Sequence, residues 1–170
     1  MSVLRDLLAP DLAVVFCGTA VGTTSARRRA YYAGPGNAFW PTLFAVGLTP
    51  HRVEPEEYEC ITEYRLGLTD LAKTVAGSDR SLSAEHFDSG GLRAKIQKYR
   101  PRVLAFTSKR AAKEFVGHPV DDYRWLPETI GETALFVLPS PSGAARRYWS
   151  DKPWYELAQN VRDAASWRGR

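Results

Sequence analysis

The chain has 170 residues, 44% hydrophobic and 25% charged, which suits one domain of ordinary size and excludes a chain disordered throughout. A formal charge of +4 and a pI near 9.2 suit a polyanionic partner without requiring one. The two cysteines, Cys17 and Cys60, lie outside any CxxC spacing, which excludes an iron–sulfur cluster and argues against zinc.

Asp11–Cys17 is apolar, β-branched and aromatic, and reads as a short buried strand that Gly18 ends. Cys17 then reads as a small core residue. A loop rich in Gly, Thr and Ser follows, up to the triplet Arg27-Arg28-Arg29. Residues 37–47 read as a helix, with Trp40, Leu43, Phe44 and Gly47 on one stripe. Asn37 would cap it, Gly47 would end it, and Pro41 is tolerable only in its first turn. Residues 55–60 read weakly as helix. Residues 83–99 read better, capped by Ser83, with Leu92, Ile96 and Tyr99 on one face. Arg102–Thr107 is a second strand, Lys109–Val116 a short helix ending at Gly117, and Ala134–Leu138 a third strand closed by Pro139. Pro153–Trp167 is a final helix, capped by Ser150 or Asp151. Strands separated by helices imply an α/β protein: a three-layer α/β/α sandwich around a mostly parallel central sheet of about four strands, forming a single domain over residues 1–170. There is no basic-then-apolar leader, and no stretch of about 18 apolar residues. A soluble, cytoplasmic protein without membrane contact is expected.

Open parallel sheets place ligands at the carboxyl ends of their strands. Two strand ends stand out, Gly18–Ala26 and Pro139–Arg147. Each puts glycine, small hydroxyl residues and then arginines just past an apolar run. Such loops can cradle phosphate, and they can equally be ordinary strand-to-helix turns. No GK[ST] follows Gly22, so the first is not a Walker loop. There is no G-x-S-x-G for a serine hydrolase, and His51, His86 and His118 read as structural or solvated.

Four blocks, in order, carry a resemblance: Phe16-Cys-Gly18-Thr-Ala20-Val-Gly22-Thr-Thr-Ser25-Ala26; Tyr31-Tyr32-Ala-Gly34-Pro35-Gly36-Asn37-Ala-Phe39-Trp40; Tyr64-Arg-Leu-Gly67-Leu-Thr69-Asp70-Leu71; and Val137-Leu-Pro139-Ser-Pro141-Ser142-Gly143-Ala-Ala-Arg146. Together they resemble the uracil-DNA glycosylase superfamily, and within it the mismatch-specific uracil/thymine enzymes, whose motifs read G-x-N-P-G, H-P-x-N-x-F-W, G-[VFL]-T and N-P-S-G-x-x-R. The resemblance implies a monomeric DNA glycosylase of base excision repair that needs no metal or cofactor. It would act on double-stranded DNA with a damaged or mismatched base, or on single strands, in the cytoplasm at the nucleoid.

The departures decide the roles. The family's water-positioning asparagine falls on Ala20, whose methyl can neither orient water nor take a proton. Two catalytic candidates replace it. Asp70 is either the carboxylate that activates water or a helix cap or surface acid. Asn37 is either a catalytic amide, as in the hypoxanthine-excising branch, or the helix cap. The resemblance assigns substrate binding to Gly18, Thr19 and Ala20 through their backbone, to Tyr32 as the base-stacking aromatic, and to Phe39 and Ser140. It assigns DNA contact to Gly22, Thr23, Ser25, Ser142, Gly143, Ala144, Ala145, Arg146 and Arg147. Arg27–Arg29 are either phosphate contacts or a solvated face. The wedge that fills the gap behind a flipped base is shortened to Ala144, so Arg146 or Arg147 would take that place. Uracil opposite guanine is the first substrate, with hypoxanthine or xanthine second. The competing functions are a module that binds damaged or abasic DNA without cutting it, and an unrelated hydrolase of free nucleotides.

Overall fold

A computed structural model describes residues 1–168 of the chain. Five strands form one sheet in the order β2-β1-β3-β5-β4: β1 (Val14–Val21), β2 (Leu66–Ala76), β3 (Val103–Phe106), β4 (Trp125–Ile130) and β5 (Thr133–Val137). Only the β4–β5 pair is antiparallel. The α-helices are α1 (Thr23–Arg28), α2 (Phe39–Ala45), α3 (Ser89–Tyr99), α4 (Lys109–Val116) and α5 (Lys152–Arg168). Alternation along the strands builds two cores. Val14, Phe16, Ala105 and Phe136 pack with Phe39, Trp40, Leu43, Trp154 and Leu157 of α2 and α5. Val15, Cys17, Leu104, Phe106, Leu135 and Val137 face Leu92, Ile96, Ala111 and Phe115 of α3 and α4. Period-two side chains on a sheet covered on both faces give the expected three-layer sandwich.

Several boundaries differ from expectation. Gly18 does not end β1, which continues through Val21. Residues 23–28 form α1 instead of loop. In α2, Ala38 is the capping position, while Asn37 Oδ1 accepts the Phe39 N–H at 2.9 Å. Phe44 is 49% exposed and leaves the expected stripe, whereas Gly47, at φ 83°, does end the helix. Residues 55–64 form a 3-10 helix. The expected 83–99 helix divides. Ser83 caps a single turn, and the Asp88 carboxylate caps α3 by accepting the Gly91 N–H at 2.9 Å.

Two strands were not expected. β2 is buried through its first seven residues, Leu66–Ala72, so it shows no polar alternation. β4 carries Pro127 and Glu128 on the sheet's edge, where proline is tolerated. The other edge, β2, is covered by the N-terminal segment: Leu7 and Leu68 exchange both backbone hydrogen bonds at 2.9 Å, and Val3 N–H donates to Lys73 O at 2.7 Å. Among the described residues, no helix is long and apolar enough to cross a membrane.

Candidate functional site

From β1 the chain goes to β2 on one side. From β3 it goes to β4 and β5 on the other. The crevice at the carboxyl ends of β1 and β3 is therefore the switch point where ligands bind in open α/β sheets. A cleft of about 800 Å³ lies there, with Gly18–Ser25, Tyr32, Asn37, Asp70 and Ser140 among its lining residues.

Its floor is set by backbone register. Gly18 pairs with Asp70 across the parallel β1–β2 ladder. A Cβ on Gly18 would stand 3.1 Å from Asp70 Oδ1, 3.5 Å from Thr107 Oγ1 and 3.5 Å from the Tyr32 hydroxyl. A carboxylate, a hydroxyl and a phenol thus converge on one missing side chain. Thr107 Oγ1 and Tyr32 O–H are hydrogen-bonded at 3.1 Å.

Asp70 is neither helix cap nor surface acid. It lies in the middle of β2 and is 4% exposed. Burial pushes its carboxyl pKa up to about 6, against the opposing pull of Lys73, whose Nζ lies 3.4 Å from Oδ2. A desolvated carboxylate titrating there can take a proton from water near neutral pH.

Tyr32 sits at φ 54°, in the left-handed region. One face of its ring stacks on Phe39, with centroids 3.9 Å apart and planes 18° apart, and the residue lines the cleft. Phe39 is fully buried beneath it. Phe39, expected as a substrate contact, is not among the residues that line the cleft and instead backs the Tyr32 ring. Asn37 lines the cleft. Because its Oδ1 is committed to the Phe39 N–H, the amide NH₂ is the group it can offer a ligand.

The Pro139–Arg147 loop forms one wall and is locked to the Gly34–Asn37 loop. Ala38 N–H donates to Pro141 O at 2.8 Å. A Cβ on Gly143 would be 2.7 Å from Pro35 O, and one on Gly36 would be 2.7 Å from Arg146 Nη2. The Ser140 and Ser142 hydroxyls accept N–H groups of Ser142 and Ala144, each at 3.3 Å. Ala144 and Ala145 line the cleft, each with no more than a methyl side chain. Arg146 and Arg147 are exposed nearby on a short 3-10 helix, Gly143–Tyr148.

One expected DNA contact and one of the arginines left open are held by partners within the chain. Ser25 is 5% exposed, and its Oγ accepts the Ala33 N–H at 2.9 Å, so it braces the loop. Arg28 donates to Ala33 O at 2.8 Å and pairs with Glu56 on the surface. Gly22 and Thr23 are exposed at the start of α1, as contact with a large ligand requires.

Several cleft residues carry no prediction from sequence, and five of them bear on the site's chemistry. Thr107 and Ser108 directly follow β3, and the strand-end rule applied to the other two strands would have found them. Asp79 receives the Thr19 hydroxyl at 2.7 Å, and Arg80 follows it on the rim. No local motif marks either. Tyr148 is 68% exposed at the cleft. It stands beyond the Ser-Gly-Ala-Ala-Arg block where a wedge was sought. Among the described residues, no group of three His, Cys, Asp or Glu could hold a metal ion.

Residues 5–161 match the family model described as the uracil DNA glycosylase superfamily. Among solved structures, the chain is similar to the solution NMR structure of a candidate uracil DNA glycosylase from Methanosarcina acetivorans. The TM-score is 0.62 at 20% identity, over 94% of this chain and 96% of that one; at that identity the likeness is one of fold.

Proposed function

Because the chain belongs to the uracil DNA glycosylase superfamily, we propose that it is a monofunctional DNA glycosylase that hydrolyses the N-glycosidic bond of a deaminated base flipped from DNA. We place it nearest the mismatch-specific branch, with uracil opposite guanine as first substrate and hypoxanthine or xanthine as second. The observation that carries this reading is the convergence of Asp70, Thr107 and Tyr32 on the space above Gly18.

In this reading the extruded base lies against the cleft face of Tyr32, a contact worth about 1–3 kcal/mol. The backbone of Gly18, Thr19 and Ala20 borders it. Cleavage builds positive charge on the sugar and negative charge on the departing base. Ionised Asp70 faces the developing cation and accepts a proton from the water that attacks C1′. The bond to the base nitrogen breaks, and the base leaves as an anion that is then protonated. The Asn37 amide NH₂ donates to the departing base. Ala20 takes no part through its side chain, so the carboxylate one strand away does the work of the missing amide. On the DNA face, Gly22, Thr23, Ser142, Gly143 and the arginines at 146 and 147 meet the backbone. Tyr148, instead of the short Ala144–Ala145 pair, fills the space the base vacates.

The test is single-turnover excision on strands carrying uracil, hypoxanthine or xanthine, paired and unpaired, with wild type and Asp70→Asn. Cleavage of at least one strand by wild type, and its loss in the variant, supports the proposal. Tight binding of all strands without cleavage would instead make the chain a damage-binding module. Activity confined to free nucleotides would exclude a DNA enzyme.

A further inference from the structure

The β1–β2 ladder slips between the pairs Ala20–Ala72 and Val21–Ala76, so residues 73–75 bulge from β2. In a regular strand, residues three apart point to opposite faces. At this bulge the Lys73 side chain comes back to the side of Asp70. Its Nζ lies 3.4 Å from Asp70 Oδ2, 2.9 Å from Asp6 Oδ1 and 3.1 Å from the Tyr31 hydroxyl, at 12% side-chain exposure.

Asp6 holds the far side. Its Oδ2 takes Lys95 Nζ at 2.6 Å, and its Oδ1 accepts the Thr69 hydroxyl at 2.7 Å. The N-terminal segment that carries Asp6 is itself tied to β2 by the Val3 and Leu7 backbone bonds. Two carboxylates and two ammonium groups therefore balance. Lys73 engages Oδ2 of Asp70, while Oδ1 is the oxygen beside Gly18.

We infer that Lys73 is a positioning residue, anchored by Asp6, that turns one oxygen of Asp70 into the cleft and favours its ionised form. This rests on the reading of Asp70 as the base. The groups facing Asp70 are Lys73, Lys95, Asp6, Cys17, Tyr31 and Tyr32. Burial raises the pKa of the thiol and both phenols, so these three stay neutral and the variable charges are the lysines and Asp6.

The signs follow. Removing the cation favours the neutral acid, so Lys73→Gln moves the acidic limb of the excision profile to higher pH, by about one pH unit or more. Lys73→Arg restores the limb. Asp6→Asn removes a negative neighbour but keeps an oxygen for Thr69 and Lys73, and moves the limb to lower pH. A merely structural role would lower the rate in both variants and leave the limb in place.

The experiment is a pH profile of single-turnover uracil excision for the four proteins, with ¹³C NMR titration of the Asp70 carboxyl in each. Opposite displacements in Lys73→Gln and Asp6→Asn support the inference. Coincident titration of Asp70 in wild type and Lys73→Gln overturns it. If Lys73→Gln does not fold, Asp6→Asn decides: a lowered midpoint supports the inference and an unmoved one overturns it. If wild type excises nothing, the glycosylase reading fails, while the carboxyl titration still tests what Lys73 does to Asp70.

Discussion

Gly18 and Asp70 are direct partners across the β1–β2 ladder, and the hydrogen atoms of Gly18 occupy the space in which a methyl would press on Asp70 Oδ1 at 3.1 Å. That separation is tighter than ordinary van der Waals contact, so the carboxylate must shift, while Thr107 Oγ1 and the Tyr32 hydroxyl, each at 3.5 Å, stand at ordinary contact distance. Gly18→Ala should therefore fold and still lose excision by about 10-fold or more. Unchanged kcat/KM would show that the space above Gly18 is not where the substrate reacts.

Asp70→Asn should trade activity for stability. Loss of the base costs about 10²–10⁴-fold in the excision rate. The folded pKa of about 6 stands above the ordinary 3.8, so ionising Asp70 opposes folding. In wild type the favourable contribution of the neutral acid is complete below about pH 4 and gone above about pH 6. The variant should be more stable at pH 8, by roughly 1–3 kcal/mol. That advantage should fade as pH falls toward 4. Thermal unfolding at both pH values checks it, and a variant less stable than wild type at pH 8 would contradict the sign.

Tyr148→Ala should discriminate between forms of DNA. An exposed aromatic that fills the gap in a duplex has no gap to fill in a single strand. Excision from paired substrate should fall by about 10-fold or more, the equivalent of one lost stacking contact, while the unpaired strand is cut nearly as before. Equal losses on both would place Tyr148 elsewhere in binding.

Gly143→Ala should disturb the wall and leave the floor intact. Its new methyl would meet the Pro35 carbonyl oxygen at 2.7 Å, a backbone atom that cannot swing away. A loss of about 1–3 kcal/mol is expected for this overpacking, read as a lower denaturation midpoint, together with weaker DNA affinity. The Asp70 titration should not move.

Much of this was legible from residue order. The apolar runs at 14–17, 103–106 and 134–137 carry both cores, and the glycine- and serine-bearing strand ends do line the cleft. Asp70 could be named, but its setting could not. Leu66–Ala72 is buried on both faces and so lacks the alternation that reveals a half-buried strand. Ser25 looks like a phosphate ligand in sequence, and Arg28 stays open between phosphate contact and solvated face, because neither the Ala33 backbone nor Glu56 can be seen as a partner until the loop closes. Lys73 and Asp6 are 67 residues apart in the chain and meet only through a bulge and a docked terminus. No spacing rule reports such a meeting.

The two flanks of the sheet have a consequence for crowded solution. An exposed strand margin invites a neighbouring molecule to extend the ladder. On one side the chain's own first residues already occupy that place at Leu68. On the other, Pro127 has no N–H to offer and interrupts the register. Both routes to edge-on polymerisation are thereby obstructed by local means, with no second subunit required to shield them.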